Sequence, residues 1–518
     1  MTAPVAVRPQ ETSLRPVRRP RWDAAWVWQG VWQGVPLAGI LALATYLRFT
    51  ELARLGFNSD EAVYAGTAAA IAGDTSLSGM FPVFRAHPVL FQTVVGLVYR
   101  SGVSDWSARA VAAAVGVLTV GVTYLLARRL YGRRAGLIAA LLLAAMPYHV
   151  VVTRQVLLDG LMTGFATLLL YCVARYAETV SARWLVAAGA ALGGAALTKE
   201  TALVLLGGLY AFFALTPVVR MRLWHLTGAG AVLGLAVLVP PLTKAFAGAP
   251  ASSSGYLMWQ LVRPANHELL FYFKTVPSAV GFATLAAAVG GLVWLRREGT
   301  WRERLLVCWI VVLVVFFTMW PVKGYQYLLP IAPALAVLAG RTLDRLGLRA
   351  GRLVLAAALI VVTVSLVVPT WQAVRPSGDG RFLAGTGGLA GGREAGRWVR
   401  DNVPADAQLL TIGPSMANVL QFYGKRRAYA LSVSPNPNER NPSYVPVPNP
   451  DRALRDGQFH YVVWDSYTAG RAKFFADKAR ALVDRFHGVA VYTGTVDVGT
   501  RGGAVAQPVI VIYQVRGR

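Results

Sequence analysis

The sequence is poor in charge and in cysteine, and each shortage excludes a class of protein. Only 15% of its 518 residues are charged and 55% are hydrophobic, which is too apolar for an ordinary soluble protein. Its two cysteines, Cys172 and Cys308, both lie inside apolar runs, so we expect neither a disulfide framework nor a thiolate metal site. Long apolar runs separated by short basic clusters instead predict a polytopic membrane protein.

Acidic residues are also scarce: 25 Asp and Glu stand against 51 Lys and Arg, for a net charge of +26. The arginines lie mainly in short loops between apolar runs, where membrane orientation explains them better than nucleic-acid binding does. We therefore expect a lipid bilayer, and no nucleic acid, as a partner. The basic, proline-rich residues 1–30 are predicted to form a retained cytoplasmic tail, because no clear cleavage site follows them.

Motifs for nucleotides and metals are missing or weak. The sequence has no Walker loop and no Gly-x-Gly-x-x-Gly between a strand and a helix, so nucleotide binding has no support. It also has no His-x-x-His or paired-cysteine pattern. His87 and His267 with Glu61 or Glu268 could still bind a divalent metal. The cofactor therefore stays unknown, with a divalent metal as the open possibility.

The positive-inside rule orders the apolar runs into about eleven transmembrane helices within residues 31–370, with the N-terminus inside and the C-terminus outside. Residues 51–105 are the predicted first outer loop. Its apolar piece Pro88–Val98 is too short to cross a bilayer, so we interpret it as a helix in the outer interface. Residues His149–Leu158 are predicted to form another outer loop.

The composition changes after the last apolar run. Residues 371–392 are predicted to be a glycine-rich linker and residues 393–518 an extracytoplasmic α/β domain. Its predicted helices are Glu394–Val403 and Arg471–Phe486, and its predicted strands are Gln408–Ile412, Tyr461–Trp464, Val489–Val496 and Val509–Val515. The predicted fold class is thus a polytopic α-helical membrane protein with a C-terminal α/β domain.

The segment Phe57–Tyr64 follows the first predicted span and carries two neighbouring acids. Asn58 is a helix N-cap residue type and Glu61 stands three residues later, as in a capping box. We expect the helix to run through Ala62–Ala72. Asp60 is then held at a helix start, where the macrodipole favours its ionised form.

Polar residues collect on the predicted outer side of the membrane. Inner loops carry mostly arginine, whereas the outer connections carry a chemically mixed set: Asp60, Glu61, Tyr64, Arg85, His87, Arg154, Asp159, Lys199, Glu200, His267, Glu268, Lys323, Tyr325 and Tyr327. Any one of these could pair structurally or reach the surface. As a set they predict a polar chamber, in which acids act as bases or metal ligands and Arg and Lys bind a phosphate.

Several short motifs occur in an order that resembles C-type (GT-C) membrane glycosyltransferases of family 39, the group of protein O-mannosyltransferases and aminoarabinose transferases. They are Asp60-Glu61 after the first span, His87-Pro88, Arg154 followed by Asp159, Thr198-Lys199-Glu200, and Lys323-x-Tyr-x-Tyr-Leu-Leu-Pro330. The resemblance covers roughly residues 30–370. This chain has His87-Pro88-Val89-Leu90 where the mannosyltransferase branch has His-Pro-Pro-Leu, and it lacks that branch's β-trefoil insertion.

The resemblance implies a GT-C fold and a polyprenyl-phosphate-linked sugar as the donor. It further implies transfer on the extracytoplasmic side of the cell membrane, with inversion at the anomeric carbon, and Asp60 as the catalytic base. The acceptor could be a cell-envelope glycan, a lipid or a protein. A polytopic transporter or lipid-carrier flippase is the alternative function.

The chemistry of the residues agrees with this expectation. A sugar hydroxyl is a poor nucleophile, and a carboxylate within hydrogen-bond reach can take its proton as it attacks. The leaving lipid phosphate needs charge stabilisation, for which Arg154, Lys199 and Lys323 are suitable. Because Glu61 points about 100° away from Asp60 on a helix, we expect it to position substrate, to bind a metal or to orient the loop.

Overall fold

The computed structural model describes residues 24–83, 86–246, 256–295, 299–375, 389–500 and 503–516. A helical part comes first. Its α-helices, α1 to α17 in chain order, are Ala24–Phe49, Ser59–Ala72, Thr75–Ser78, Leu90–Tyr99, Asp105–Tyr131, Arg133–Ala145, Pro147–Thr153, Leu158–Thr179, Ala182–Thr198, Leu205–Ala214, Leu223–Phe246, Tyr256–Val262, Phe271–Val280, Phe282–Leu295, Trp301–Met319, Ala332–Ala350 and Arg352–Val374. Two 3₁₀ helices, Glu200–Val204 and Tyr325–Ile331, lie among them.

The C-terminal part contains both helices and strands. Its helices α18 to α22 are Gly392–Asn402, Pro414–Gly424, Pro450–Arg455, Ser466–Ala469 and Lys473–Arg485, and its strands β1 to β5 are Leu409–Thr411, Ala428–Ala430, Tyr461–Asp465, Val489–Thr500 and Gly503–Gln514. The sheet order is β2-β1-β3-β5-β4. Strands β2, β1 and β3 are parallel, whereas β5 is antiparallel to both β3 and β4.

Within the described residues, four helices are long and apolar enough to cross a membrane: α5, α8, residues Leu223–Thr243 of α11, and α17. Two bent pairs raise the number to six if each pair is one span, namely α6 with α7 at 59° and α13 with α14 at 101°. Shorter apolar helices, such as α9, accompany them. The count of about eleven spans and the N-in/C-out topology therefore stay predictions.

The predicted outer loop His149–Leu158 is wrong in its first half, because residues up to Thr153 form α7. Helix α6 ends just before Pro147, which has no backbone N–H to continue the helix. The fully buried Arg48 occupies this break. Its guanidinium donates to the carbonyls of Leu143 at 3.4 Å and Ala144 at 3.1 Å, so carbonyls freed at the break are satisfied inside the bundle.

The two faces of the C-terminal sheet pack against different helices. Alternate strand residues point to opposite faces, so Leu409 and Leu410 belong to separate buried clusters. The cluster around Leu409 also contains Phe57 and Ala62. Helix α2 of the first outer loop thus shares a core with the C-terminal domain, and α19 packs directly on α2.

The predicted domain boundaries stay predictions, and parts of them lie outside the described residues. This applies to residues 1–23 of the predicted cytoplasmic tail and to residues 376–388 of the predicted linker. Helix α1 already begins at Ala24, within the predicted tail, and α17 continues to Val374, within the predicted linker.

Candidate active site

Helix α2 begins with the predicted capping box. The Glu61 backbone N–H donates to Asn58 Oδ1 at 3.0 Å, and the Asn58 N–H donates to Glu61 Oε2 at 3.1 Å. The helix ends at Ala72 with Gly73 in the left-handed conformation, which glycine adopts without steric cost. The start and end of this helix are confirmed as predicted from local sequence.

The side chain of Glu61 is fully buried and its two oxygens are both engaged. Arg109 of α5 donates from Nε to Oε1 and from Nη2 to Oε2, each at 2.7 Å. The backbone N–H of Val156 donates to Oε1 at 3.1 Å. Of the three roles expected for Glu61, this arrangement favours orienting the loop, because substrate or metal would have to displace these bonds.

Arg109 also holds the loop that precedes α2. Its Nη1 donates to the carbonyls of Leu52 at 3.0 Å and Leu55 at 2.7 Å, and its Nη2 donates to that of Gly56 at 3.0 Å. One buried guanidinium therefore fixes three carbonyls and one carboxylate. Sequence reasoning missed Arg109 because it lies inside a predicted span, although a charge in an apolar helix is itself a signal of function or pairing.

The C-terminal domain holds the same loop from the opposite side. Arg393 donates from Nη1 to the carbonyl of Ala53 and from Nη2 to that of Arg54, both at 2.9 Å. The Tyr423 hydroxyl accepts from the N–H of Phe57 at 2.6 Å and donates to Asp105 Oδ2 at 2.7 Å. Burial raises the pKa of Tyr423, so the hydroxyl keeps the proton that it donates.

Asp60 differs from its neighbour Glu61. Its side chain is accessible, yet enough protein surrounds it that desolvation is the largest influence on its pKa. Among the described residues, no hydrogen bond or ion pair engages its carboxylate. Burial raises the pKa of Asp60 above the ordinary 3.8; the charges of His87 and Lys199 lower it, and those of Asp159 and Glu61 raise it. Desolvation therefore opposes the ionised form that the helix start was expected to favour.

Two ion pairs lie near Asp60. Lys199 Nζ is 2.8 Å from Asp159 Oδ1, and both side chains are buried. His87 Nδ1 is 2.9 Å from both oxygens of Glu200. The structure thus brings together four of the predicted site residues, two acids and two bases, as partners of one another.

Aromatic rings enclose these pairs. Lys199 Nζ lies 4.1 Å from the centre of the Tyr327 ring, which is a favourable cation–π distance. The His87 ring lies 6.0 Å from that of Tyr64 and 4.9 Å from that of Tyr256. Burial raises the pKa of Tyr64 and of Tyr256 well above the ordinary value, so both hydroxyls remain protonated.

Lys323 is buried without a counter-ion. Its side chain is only 4% exposed, and Nζ donates to the carbonyl of Trp320 at 3.1 Å. The structure shows no carboxylate partner for it within the described ranges. Asn266 fixes the backbone of Lys323. Its Oδ1 accepts from the Lys323 N–H at 2.7 Å, and its Nδ2 donates to the Lys323 carbonyl at 2.9 Å. A buried ammonium without an acid is costly unless an anion joins it.

Other predicted site residues have partners outside the group around Asp60. Arg154 donates to the carbonyls of Leu47 and Arg48 at the end of α1, at 2.9 Å and 3.0 Å, and not to the group around Asp60. Glu268 is exposed and pairs with Lys274 at 2.6 Å.

His267 is also exposed, stacks on Phe271 with ring centres 4.2 Å apart, and has its pKa lowered first by desolvation and then by Arg471 and Lys323. The Tyr325 carbonyl accepts from Tyr148. Arg85 lies outside the described residues.

Sequence reasoning also missed cations and aromatics near the site. Arg263 stacks on Trp259, with 4.5 Å between guanidinium and ring centre. Arg471, between α21 and α22, donates to the Tyr467 hydroxyl at 2.6 Å. The charge of Asp60 raises the pKa of Tyr467, after the larger effect of burial. Tyr467 and Arg471 belong to the C-terminal domain. No local sequence pattern indicates that this domain contributes residues near Asp60.

The described residues contain no preformed cluster of metal ligands. Across the described ranges, no group of three or more His, Cys, Asp or Glu side chains could hold a metal ion. The oxygens of Glu61 and Glu200 are already engaged by Arg109 and His87. Glu268, the other acidic candidate ligand, pairs with Lys274.

A bundle of apolar helices, a loop that carries Asp60 and Glu61, and a C-terminal α/β domain agree with the GT-C-like membrane fold expected from the sequence. Residues 86–243 match the family model described as dolichyl-phosphate-mannose-protein mannosyltransferase. This match confirms the resemblance to family 39 for that part of the chain. No curated protein matches the chain significantly.

Solved structures show the same fold. ArnT from Cupriavidus metallidurans, bound to undecaprenyl phosphate, is similar with a TM-score of 0.67 and 18% identity, over 92% of this chain and 98% of ArnT. The oligosaccharyltransferase AglB from Archaeoglobus fulgidus, in complex with an inhibitory peptide and a dolichol-phosphate, is similar with a TM-score of 0.57 and 15% identity, over 93% of this chain and 74% of AglB. At these identities the likeness shows the fold.

Proposed function

We propose that this protein is a glycosyltransferase that moves a sugar from a polyprenyl-phosphate donor to a hydroxyl of an extracytoplasmic acceptor. The observation that carries the proposal is Asp60, whose carboxylate is accessible and unengaged while the loop around it is bonded to Arg109 and Arg393. A base needs such a carboxylate, within reach of substrate and held by its surroundings. The active site would face the outer side of the cell membrane.

The proposed reaction is a single inverting displacement. The acceptor oxygen attacks the anomeric carbon as Asp60 takes its proton. The bond between that carbon and the phosphate oxygen breaks, and the phosphate leaves with the electron pair. Lys323 stabilises the negative charge on the phosphate. Lys199, held by Asp159 and Tyr327, adds a second positive charge, close enough to Asp60 to lower its pKa.

The similarity to ArnT supports a lipid phosphate as the leaving group, since that protein is seen bound to undecaprenyl phosphate. The test is to incubate the purified protein in nanodiscs with a panel of polyprenyl-phosphate sugars and to measure sugar release or transfer. Release of sugar with formation of polyprenyl phosphate supports the proposal. Movement of the lipid across the bilayer without cleavage would favour the flippase alternative.

Lys323→Met is expected to weaken donor use by tenfold or more, because a charge-assisted hydrogen bond contributes about 1.5–3 kcal/mol. Methionine keeps most of the side-chain volume, so packing is preserved. Lys274→Met, on an exposed pair with Glu268, is the matched control and should leave donor kinetics unchanged. Equal donor KM and kcat in native protein and in Lys323→Met would remove Lys323 from the phosphate site.

The pH dependence follows from the raised pKa of Asp60. The base works only when ionised, so activity is lost as pH falls through a pKa that lies above 3.8. Because the His87 charge lowers the pKa of Asp60, His87→Gln should move this acid limb of kcat/KM to higher pH. An acid limb that stays in place in His87→Gln would contradict the assignment of the titrating group.

A further inference from the structure

A second cleft lies outside the space around Asp60, where the first outer loop meets the C-terminal domain. It has a volume of about 330 Å³ and is lined on one side by Gly79, Met80 and Pro82. The edge strand β2 and the residue Tyr444 form part of the opposite wall. Clefts of this size, formed between two parts of a protein, are typical places for small ligands.

The lining combines flat apolar surfaces with hydrogen-bonding groups. Tyr444 contributes an aromatic ring with a hydroxyl, while Gln421 and Arg427 contribute N–H donors. Tyr429 of β2 also borders the cleft, and its ring packs on Phe459. Pro82 adds a further flat, apolar surface. A sugar ring presents C–H groups on its faces and hydroxyls at its edge, so it needs this mixture of amphipathic rings and polar groups.

One side chain connects the cleft to the segment that carries Ser59 and Asp60. Asn418 Nδ2 lies 3.1 Å from the Tyr444 hydroxyl and 3.0 Å from Ser59 Oγ. Tyr444 lines the cleft, and Ser59 directly precedes Asp60. A ligand in the cleft would therefore lie next to the segment that carries the base, as the distal part of an acceptor must.

The cleft is poorly suited to a peptide main chain. A peptide that joins an edge strand binds through that strand's free N–H and C=O groups. On β2, the carbonyl of Ala428 already accepts from Gln421 Nε2 at 2.9 Å. Prolines at positions 82, 414 and 442 line the same cleft and offer no backbone donor.

We propose that this cleft binds the carbohydrate portion of the acceptor, a proposal that rests on the function proposed above. The acceptor would then be a glycan with at least one sugar residue beyond the one that carries the attacking hydroxyl. That residue would stack on the Tyr444 ring and bond to the polar groups of the wall. The C-terminal domain would thereby select the acceptor class.

Gly79 provides a test that leaves the catalytic residues untouched. Its backbone is right-handed helical, with φ −72°, and nothing lies within 4 Å of an added Cβ. Tryptophan is therefore allowed at this position and would fill part of the cleft, whereas Gly79→Ala would leave it open as the matched control. Neither substitution touches Asp60 or Lys323.

The experiment uses the full chain in nanodiscs and two readouts. The first is binding of a panel of di- to tetrasaccharides of mannose, glucose, arabinose and rhamnose, followed by saturation-transfer NMR. The second is hydrolysis of polyprenyl-phosphate sugar in the absence of acceptor. We expect at least one oligosaccharide to bind native protein and Gly79→Ala, about tenfold or more weaker binding to Gly79→Trp, which corresponds to 1.4 kcal/mol, and unchanged hydrolysis in all three.

The possible outcomes separate this inference from the proposed function. No binding of any oligosaccharide to native protein, or equal binding to Gly79→Trp, overturns the glycan cleft. Binding of a Ser/Thr-rich peptide that Gly79→Trp abolishes overturns it in favour of a protein acceptor. Absence of both sugar release and sugar transfer by native protein overturns the proposed function, while the sugar-binding result still decides whether the cleft binds carbohydrate.

Discussion

Asp60→Asn is expected to abolish most sugar transfer while the protein stays folded and still binds the donor. Asparagine keeps the size of the side chain and removes its basicity, and a positioned base typically contributes about 10²–10⁴-fold to the rate. Because no described residue bonds to the Asp60 carboxylate, the substitution leaves no buried partner unpaired. The structure therefore predicts a loss of kcat with little loss of stability.

A matched control for Asp60→Asn is available in the same outer loop. Asp74 caps α3 and pairs with Lys425 at 3.2 Å, so Asp74→Asn changes the charge of the loop equally. Turnover within twofold of native is expected for this control, since surface substitutions have small effects. Normal turnover by Asp60→Asn would reduce Asp60 to a residue at a helix start and make Asp159 the next candidate base.

Glu61→Gln is expected to fail in a different way, through loss of folding stability. Glu61 and Arg109 are both buried and bonded at 2.7 Å. Breaking one partner of such a pair typically costs about 3–5 kcal/mol, because the other charge is left uncompensated. The lost acceptor also leaves the N–H groups of Asn58 and Val156 with a weaker partner. We expect a clear fall in the free energy of unfolding, measured by SDS titration of the protein in micelles.

The exposed pair Glu268–Lys274 is the control for Glu61→Gln, since its side chains are each 60% exposed. Glu268→Gln should cost less than about 1 kcal/mol. If Glu61→Gln unfolds like native protein but turns over slowly, Glu61 contacts substrate and does not hold the loop. The two acids that stand side by side in sequence would then share one function.

The local features of the site could be predicted from the sequence. The start of α2 is marked by Asn58 and Glu61, and its end by Gly73. These residues lie within about fifteen positions of one another, and helix capping is a short-range effect. The structure also has strands at the four predicted positions in the C-terminal domain. These strands carry runs of β-branched and apolar residues, which is the signal that sequence reasoning uses.

Other features depended on contacts that no local pattern records. Arg109 meets Glu61 across 48 residues of chain, and Tyr423 meets Phe57 across 366. Strand β2 was missed because two of its three residues are alanines, which give little strand signal. The raised pKa of Asp60 could not be predicted from the sequence, because the macrodipole can be inferred from a helix start, whereas desolvation depends on everything that packs around the carboxylate.

Gly56 limits how the two parts of this protein can be recombined. An added Cβ at Gly56 would lie 2.7 Å from Cβ of Arg393, so the backbones of the catalytic loop and the C-terminal domain meet with no room between them. A chimera that takes its C-terminal domain from a relative must keep this close approach as well as Arg393 and Tyr423. Without them the membrane part could insert and fold, yet the loop between α1 and α2 would lose its bonds to Arg393 and Tyr423.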